Sequence, residues 1–319
     1  MPYPDLAALL ATALGTPPSP DTRLAIAVSG GPDSLALIHL AATDWPGRIT
    51  AITVDHGLRK AAAEEAKSVA EQCLERGIPH VTLRWAGPHP SANIQAEARA
   101  ARYKLMGNWC AANATPLLLT AHHADDQAET LLMRLARGSG LSGLAGIRAA
   151  RPLQLGVTLV RPLLSLRRAA LAEIATNAGW KPIQDPSNID ERYDRVRMRS
   201  LLAATPALPV RRIAEAAAHL AEAEAALEWA ADRAWAGRAT VSPQEITLDT
   251  EGLPAELARR LLLRALLALA PQARPRGADV ARLMVRGSGT LLGIKASGGP
   301  FWHLRPAPQR RLQKPGDRP

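Results

Sequence analysis

Leu24-Ala25-Ile26-Ala27-Val28, followed by Ser29-Gly30-Gly31-Pro32-Asp33-Ser34, is the stretch that decides the fold. Five apolar residues in a row read as a strand buried on both faces, and the pattern from Ser34 to Ala42 reads as a helix. Between them, two adjacent glycines let backbone N–H groups approach an anion with no Cβ in the way, and the following helix N-terminus adds its dipole. Ser29 and Ser34 add hydroxyls, and Pro32 suits the first turn of a helix. A carboxylate at Asp33, beside an anion site, makes chemical sense mainly with a divalent cation between them. The plainer reading is a tight strand-to-helix turn with Asp33 as its cap.

Outward from this stretch, Ile49–Val54, His80–Trp85 and Pro116–Thr120 also read as strands, and a further apolar run spans Val157–Leu164. Helical patterns lie near Ala62–Arg76, Ile94–Ala112, Asp125–Ala136 and Leu166–Ala178. Apolar strands alternating with helices predict an α/β fold, a parallel five-stranded sheet with helices on both faces, with ligands beyond the carboxyl ends of the strands. Thr205–Pro209 (TPALP) reads as a linker, so residues 1–208 form one expected domain and 209–319 a second. The second domain is expected to be smaller, mainly helical and α+β. A long helix at Arg211–Arg233 leads to a strand at Glu245–Leu248, helices at Pro254–Ala270 and Ala278–Val285, and strands near Leu291–Ala296 and Trp302–Arg305. The tail QKPGDRP reads as frayed.

Composition narrows the class. No apolar run is long enough to cross a bilayer, and the N-terminal MPYPDLAALLATALG lacks a basic region, so a leading amphipathic helix is expected in place of a secretory signal. Cys73 and Cys110 are the two cysteines and form no CxxC pair, which excludes a disulfide scaffold or a zinc ribbon and fits a reducing cytoplasm. Both are expected to pack as small apolar groups in helices. Lys plus Arg number 39 against 29 Asp plus Glu, a net +10, which points to a polyanionic partner; a GC-rich genome would also raise Arg and Ala together. Aromatic residues are 3% of the chain, which speaks against an extended base-stacking platform.

A second cluster, Ala121-His122-His123-Ala124-Asp125-Asp126-Gln127-Ala128-Glu129-Thr130, sits where a strand ends and a helix begins. Asp126 and Glu129 are three apart and share a helix face, with His122 just before it. Capping accounts for one acid but not for three acids and two histidines. A His/Asp metal site of the phosphohydrolase kind is the alternative. Gly138-Ser139-Gly140-Leu141-Ser142-Gly143 formally matches GxGxxG but follows a helix, so it is expected to be a mobile loop over the site and not a dinucleotide fingerprint. Arg195, Arg197 and Arg199 alternate; an extended loop would align them to grip phosphates, and a helix would scatter them.

SGGPDS matches the PP-loop of ATP pyrophosphatases. Together with Val54-Asp55-His56-Gly57-Leu58-Arg59, Asn93–Tyr103 (NIQAEARAARY), AHHADDQAET, Asp185-Pro186-Ser187-Asn188 and Asp194–Arg199 (DRVRMR), it makes residues 22–203 resemble the tRNA(Ile)-lysidine synthetase family. The C-terminal region resembles that family's small tRNA-binding domain more weakly, in its shorter form. Val196 departs from the family, which commonly has Asn there.

The resemblance implies a two-step reaction. ATP, with Mg²⁺, adenylates the C2 carbonyl oxygen of the wobble cytidine in a CAU-anticodon tRNA(Ile), and the ε-amine of free L-lysine then displaces AMP. It implies Asp33 for the metal, and Ser29, Gly30, Gly31, Pro32 and Ser34 for the phosphates. Asp55 and His56 lie where the superfamily holds the nucleoside, though a capped turn fits them as well. Asp126 and Glu129 are expected to hold lysine, and His122 to contact phosphate or relay a proton. Arg102 is expected in the site, with Arg99 on the same face. Arg195, Arg197 and Arg199 are expected on tRNA phosphates. Monomer and homodimer both stay open. The rivals are a PP-loop tRNA thiolase, a non-catalytic tRNA-binding relative and a small-molecule amidating ligase.

Overall fold

The computed structural model describes residues 3–57, 61–85, 94–183 and 194–308. Leu58, Arg59, Asn93, Asp185-Pro186-Ser187-Asn188 and the tail therefore lie outside the described residues. Two compact units divide between Ala221 and Glu222.

The first unit begins with α1 (Leu6–Leu14), whose N-cap Asp5 accepts from the Ala8 N–H at 3.1 Å. Next come β1 (Leu24–Ala27), α2 (Pro32–Asp44), β2 (Ile49–Asp55), α3 (Ala61–Leu74), β3 (His80–Arg84), α4 (Ile94–Ala112) and β4 (Leu117–Leu119). The chain continues through α5 (Ala124–Ala136), the short α6 (Leu141–Leu144), β5 (Ala150–Gln154), β6 (Val157–Val160), α7 (Arg168–Asn177) and α8 (Asp194–Ala204). The long α9 (Val210–Arg238) carries the boundary between the units, which thus falls inside a helix and beyond the TPALP stretch.

The sheet order is β3-β2-β1-β4-β6-β5. Five strands are parallel, and β5 pairs antiparallel with β6 as a sixth, edge strand. The five-strand expectation missed β5 because Ala-Arg-Pro-Leu-Gln is an edge sequence, with a register shift between Pro152 and Gln154 and a fully exposed Leu155 at the turn. Side chains alternate across the sheet. Leu24, Ile26, Leu117 and Leu119 pack with α1, α2 and α7 on one face, whereas Ala25, Ile52, Leu118 and Leu159 pack with Met106 and Cys110 of α4 on the other.

The second unit adds β7 (Ala239–Val241), β8 (Ile246–Asp249), α10 (Ala255–Leu269), α11 (Gly277–Arg286), β9 (Ser288–Leu291), β10 (Ile294–Ser297) and β11 (Phe301–Pro306). Its antiparallel sheet runs β7-β8-β11-β10-β9. The run expected as one strand at Leu291–Ala296 is a hairpin, turning at Leu292 (φ 56°) and Gly293 (φ 76°), both left-handed. The unit is α+β, with its five-stranded antiparallel sheet packed against α10 and α11. Ile246, Leu248, Ile294, Ala296, Trp302 and Leu304 form the inner face with α10 and α11. The other face exposes Lys295, Phe301, His303 and Arg305. Arg260 on α10 anchors that helix to α9 through buried Glu224, at 2.6 Å, and also bonds Glu228 and Glu256.

Candidate active site

Strand β1 ends in the loop that holds the first half of the site. Ser34 is buried; its hydroxyl donates to the Gly31 carbonyl at 2.9 Å and accepts from the Ser29 N–H at 3.2 Å. Ser34 thus closes the loop on itself, and Ser29, Gly31 and Ser34 all line the cavity described below. Gly30 stands at φ 82°, and a Cβ there would sit 2.5 Å from Cδ1 of Ile183, whose N–H donates to the Gly30 carbonyl at 2.9 Å. Both conformation and space demand glycine. Gly31 is the N-cap of α2, Pro32 opens the helix and Asp33 stands in its first turn. Asp33 Oδ2 lies 3.5 Å from His123 Nε2, and its Oδ1 is buried with no hydrogen-bond partner.

The end of β4 supplies the facing wall. The α5 helix is capped by His123, not by an aspartate: its ring accepts from the Asp126 N–H at 3.4 Å, and Asp126 Oδ2 accepts from the His123 N–H at 3.1 Å. Burial lowers the His123 pKa, but Asp33, Asp126 and Asp125 outweigh it and leave the ring above its ordinary value. Asp125 receives a two-pronged bond from Arg167, both arms at 3.1 Å, and the Arg168 N–H at 2.9 Å, so it ties α7 to α5. Burial raises its pKa, but those donors prevail and hold the carboxyl below its usual value.

Glu129 is a correction. It is 1% exposed, 2.9 Å from Arg199 Nε and 3.2 Å from Arg195 Nε, and does not line the cavity. Burial pushes its carboxyl up although Arg199 and Arg195 pull it down. The Arg-rich stretch is the helix α8 and not an extended loop, which changes its geometry. Arg195 and Arg199, one turn apart, clasp Glu129; Arg197 turns to Asp194, which also binds Arg137. Of the three arginines, Arg195 reaches the cavity.

His122 lines the cavity and bonds Thr120 Oγ1 through Nδ1 at 3.0 Å. Its pKa is pushed down to about 3, first by burial and then by Arg161, Arg99 and Arg195, against the pull of Asp126. Its ring is therefore neutral at neutral pH. The other wall is cationic. Arg102 meets His56 Nε2 through Nε at 3.3 Å and Nη2 at 3.0 Å, and Arg99 lies over the Tyr103 ring at 5.2 Å; both arginines line the cavity. Burial lowers the pKa of Arg102. Asp55 folds back onto its own turn, Oδ1 accepting from the Gly57 N–H at 2.9 Å, as a capped turn does, while His56 faces the cavity.

Thr120 and Arg161 were not foreseen. Both follow strands directly, and neither belongs to a motif; Arg161, 5% exposed, donates to the Arg148 carbonyl at 2.6 Å. Within the GSGLSG segment Leu141 begins the short helix α6 and Arg134 donates to the Gly143 carbonyl; no residue of the segment lines the cavity described below.

These groups enclose a cavity of about 460 Å³ above β1, β2 and β4, lined by Ser29, Asp33, His56, Arg102, His122 and Asp126 among others. Strand order reverses between β1 and β4, so the cavity sits at the switch point, where open α/β sheets bind ligands. Among the described residues no group of three or more His, Cys, Asp or Glu could hold a metal by itself. The unpartnered Asp33 Oδ1 is a hard oxygen that would suit a Mg²⁺.

Residues 5–205 match the family described as a PP-loop domain, which sets the class. The chain is 45% identical to the tRNA(Ile)-lysidine synthase of Novosphingobium aromaticivorans, over 93% of each chain. It is 43% identical to that of Zymomonas mobilis, over 91% of this chain and 90% of that one. It belongs to the tRNA(Ile)-lysidine synthase family. Among solved structures, the U34-tRNA thiolase NcsA from Methanococcus maripaludis with its 4Fe-4S cluster shares the fold, with a TM-score of 0.57 and 18% identity over 68% of this chain and 78% of that one.

Proposed function

We propose that this chain uses ATP to adenylate the C2 carbonyl oxygen of the wobble cytidine of a CAU-anticodon tRNA(Ile), releasing pyrophosphate, and then joins free L-lysine to C2. The ε-amine nitrogen forms the new bond to C2, and the C2–O bond breaks as AMP leaves with that oxygen. The observation that carries this reading is one cavity with a phosphate loop on one wall and a neutral histidine with a carboxylate on the other.

The Ser29–Gly31 backbone and the α2 N-terminus hold the phosphates. Asp33 would hold a Mg²⁺, which would supply neutralisation of charge on the departing pyrophosphate. Arg102 and Arg99 offset the charge of the adenylate from the opposite wall. Asp126 receives a lysine ammonium group. Glu129 acts one step back, by keeping Arg195 at the cavity edge. The exposed Lys295, His303 and Arg305 of the second unit support tRNA backbone contact there, as does the net charge of +10.

A thiolase reading fits less well: Cys73 and Cys110 are both buried, with thiols pushed up to about 11 and about 12 by burial. Among the described residues no helix is long and apolar enough to cross a membrane. The deciding experiment is mass spectrometry of tRNA(Ile) after incubation with the protein, ATP, Mg²⁺ and lysine. The mass of cytidine plus lysine minus water at the wobble position is expected; an unchanged nucleoside, or one gaining sulfur, would overturn the reading.

A further inference from the structure

We propose that Thr120 is a positioning residue whose hydroxyl donates to Nδ1 of His122 and holds the ring in the tautomer that presents an Nε2–H to the cavity. His122 then acts as a fixed hydrogen-bond donor to an anionic oxygen and not as a proton relay. The inference rests on the adenylation reading above.

Thr120 directly follows β4. Its own N–H donates to the Val160 carbonyl at 3.0 Å, so the backbone that carries the hydroxyl is pinned to the neighbouring strand. The residue is 7% exposed, and its Oγ1 lies 3.0 Å from His122 Nδ1, its hydrogen-bond partner among the described residues. In a neutral imidazole one nitrogen donates and the other accepts. Thr120 stands at the cavity wall, and if Nδ1 carried the hydrogen, the Thr120 hydroxyl would accept that bond and its own hydrogen would have no acceptor among the described residues. If the hydroxyl donates, both groups are satisfied and the hydrogen resides on Nε2.

The surroundings keep the ring neutral. Arg99, Arg161 and Arg195 all act on it, and Asp126 is the acid that opposes them. A neutral ring with Nε2–H and a blocked Nδ1 has no free lone pair for the proton of the lysine ammonium group. What it offers is a donor at a set position, of the kind that stabilises a phosphate oxygen as charge moves. The amine proton must then pass to a carboxylate or to water.

Three variants and one spectrum test this in the full chain with tRNA(Ile). Thr120→Val removes the donor with little change in shape and should slow ATP- and tRNA-dependent pyrophosphate release about tenfold with KM for ATP nearly unchanged; Thr120→Ser should restore most of it. His122→Gln keeps an N–H near the Nε2 position but cannot carry a proton. It should lose at most about tenfold where His122→Ala loses about a hundredfold or more. In protein with ¹⁵N-labelled histidine, the His122 signals, identified by their loss in His122→Gln, should show a protonated Nε2 and a bare Nδ1.

A protonated Nδ1, equal losses in His122→Gln and His122→Ala, or wild-type rates in Thr120→Val would each overturn the inference. If the wild-type protein released no pyrophosphate with tRNA, the adenylation reading would fail instead, and the tautomer would still be decided by the spectrum.

Discussion

At the residue scale, Asp33 and Asp125 show how alike acids divide by their partners. Asp33 keeps one oxygen buried and unbonded at the mouth of the phosphate loop. Asp33→Asn preserves shape but removes the charge a cation needs, so pyrophosphate release should fall about a hundredfold or more while tRNA binding stays within about twofold. Parallel turnover and filter-binding assays measure both. Asp125 has its oxygens filled by Arg167 and Arg168, and its pKa is depressed in the folded chain. A carboxyl depressed by folding stabilises the native state above its unfolded pKa and loses that contribution as pH falls through the folded value. Asp125→Asn should therefore destabilise the protein by about 1–2 kcal/mol at pH 7, and the gap from wild type should close below the ordinary carboxylate range. Urea midpoints across pH would show it; a gap independent of pH would contradict the assignment.

At the scale of elements, α5 and α8 are joined by one buried carboxylate between two arginines. Glu129→Ala leaves Arg195 and Arg199 facing an empty pocket, an expected cost of about 2–3 kcal/mol, softened because both arginines are partly exposed. The denaturation midpoint should drop with an unchanged slope, and activity should fall through the displaced Arg195. This contact was not readable beforehand. Alternating arginines in DRVRMR suit either an extended segment or a helix; in the helix α8 Arg195 and Arg199 share the face that meets Glu129, which is 70 residues from Arg199 in the chain. Strands β1, β2 and β4 were readable because fully buried parallel strands are apolar throughout. Strand β5 and the β9–β10 hairpin were not. One is an edge strand of mixed polarity, and the other turns on a leucine at positive φ, which no turn preference announces.

At the scale of the whole molecule, a basic Arg-rich surface and an exposed sheet face carrying Lys295 and Arg305, paired across β10 and β11, point to an RNA backbone. Replacing both residues with glutamate should weaken tRNA(Ile) binding and reduce its salt dependence by about one to two units of slope. Pyrophosphate release at saturating tRNA should change little, because both residues lie in the second unit and the cavity is lined entirely by the first. Titrations at several salt concentrations separate this from general damage, which would lower affinity without altering the slope.

The sequence alone determined the phosphate loop and the sheet that presents it, because strand, glycines and helix are contiguous and each follows from local pattern and backbone freedom. It also brought forward His122, Asp126 and Glu129 together, since one strand end and one helix start carry all three. The tertiary structure alone decided what the neighbouring acids do. Asp125 meets Arg167, 42 residues on, and Glu129 meets Arg199, so two of three similar carboxylates in one motif hold helices together and the third faces the cavity. A carboxylate has no preference of its own among these roles. Whichever cations and amides the fold brings within about 3 Å set its charge and its task.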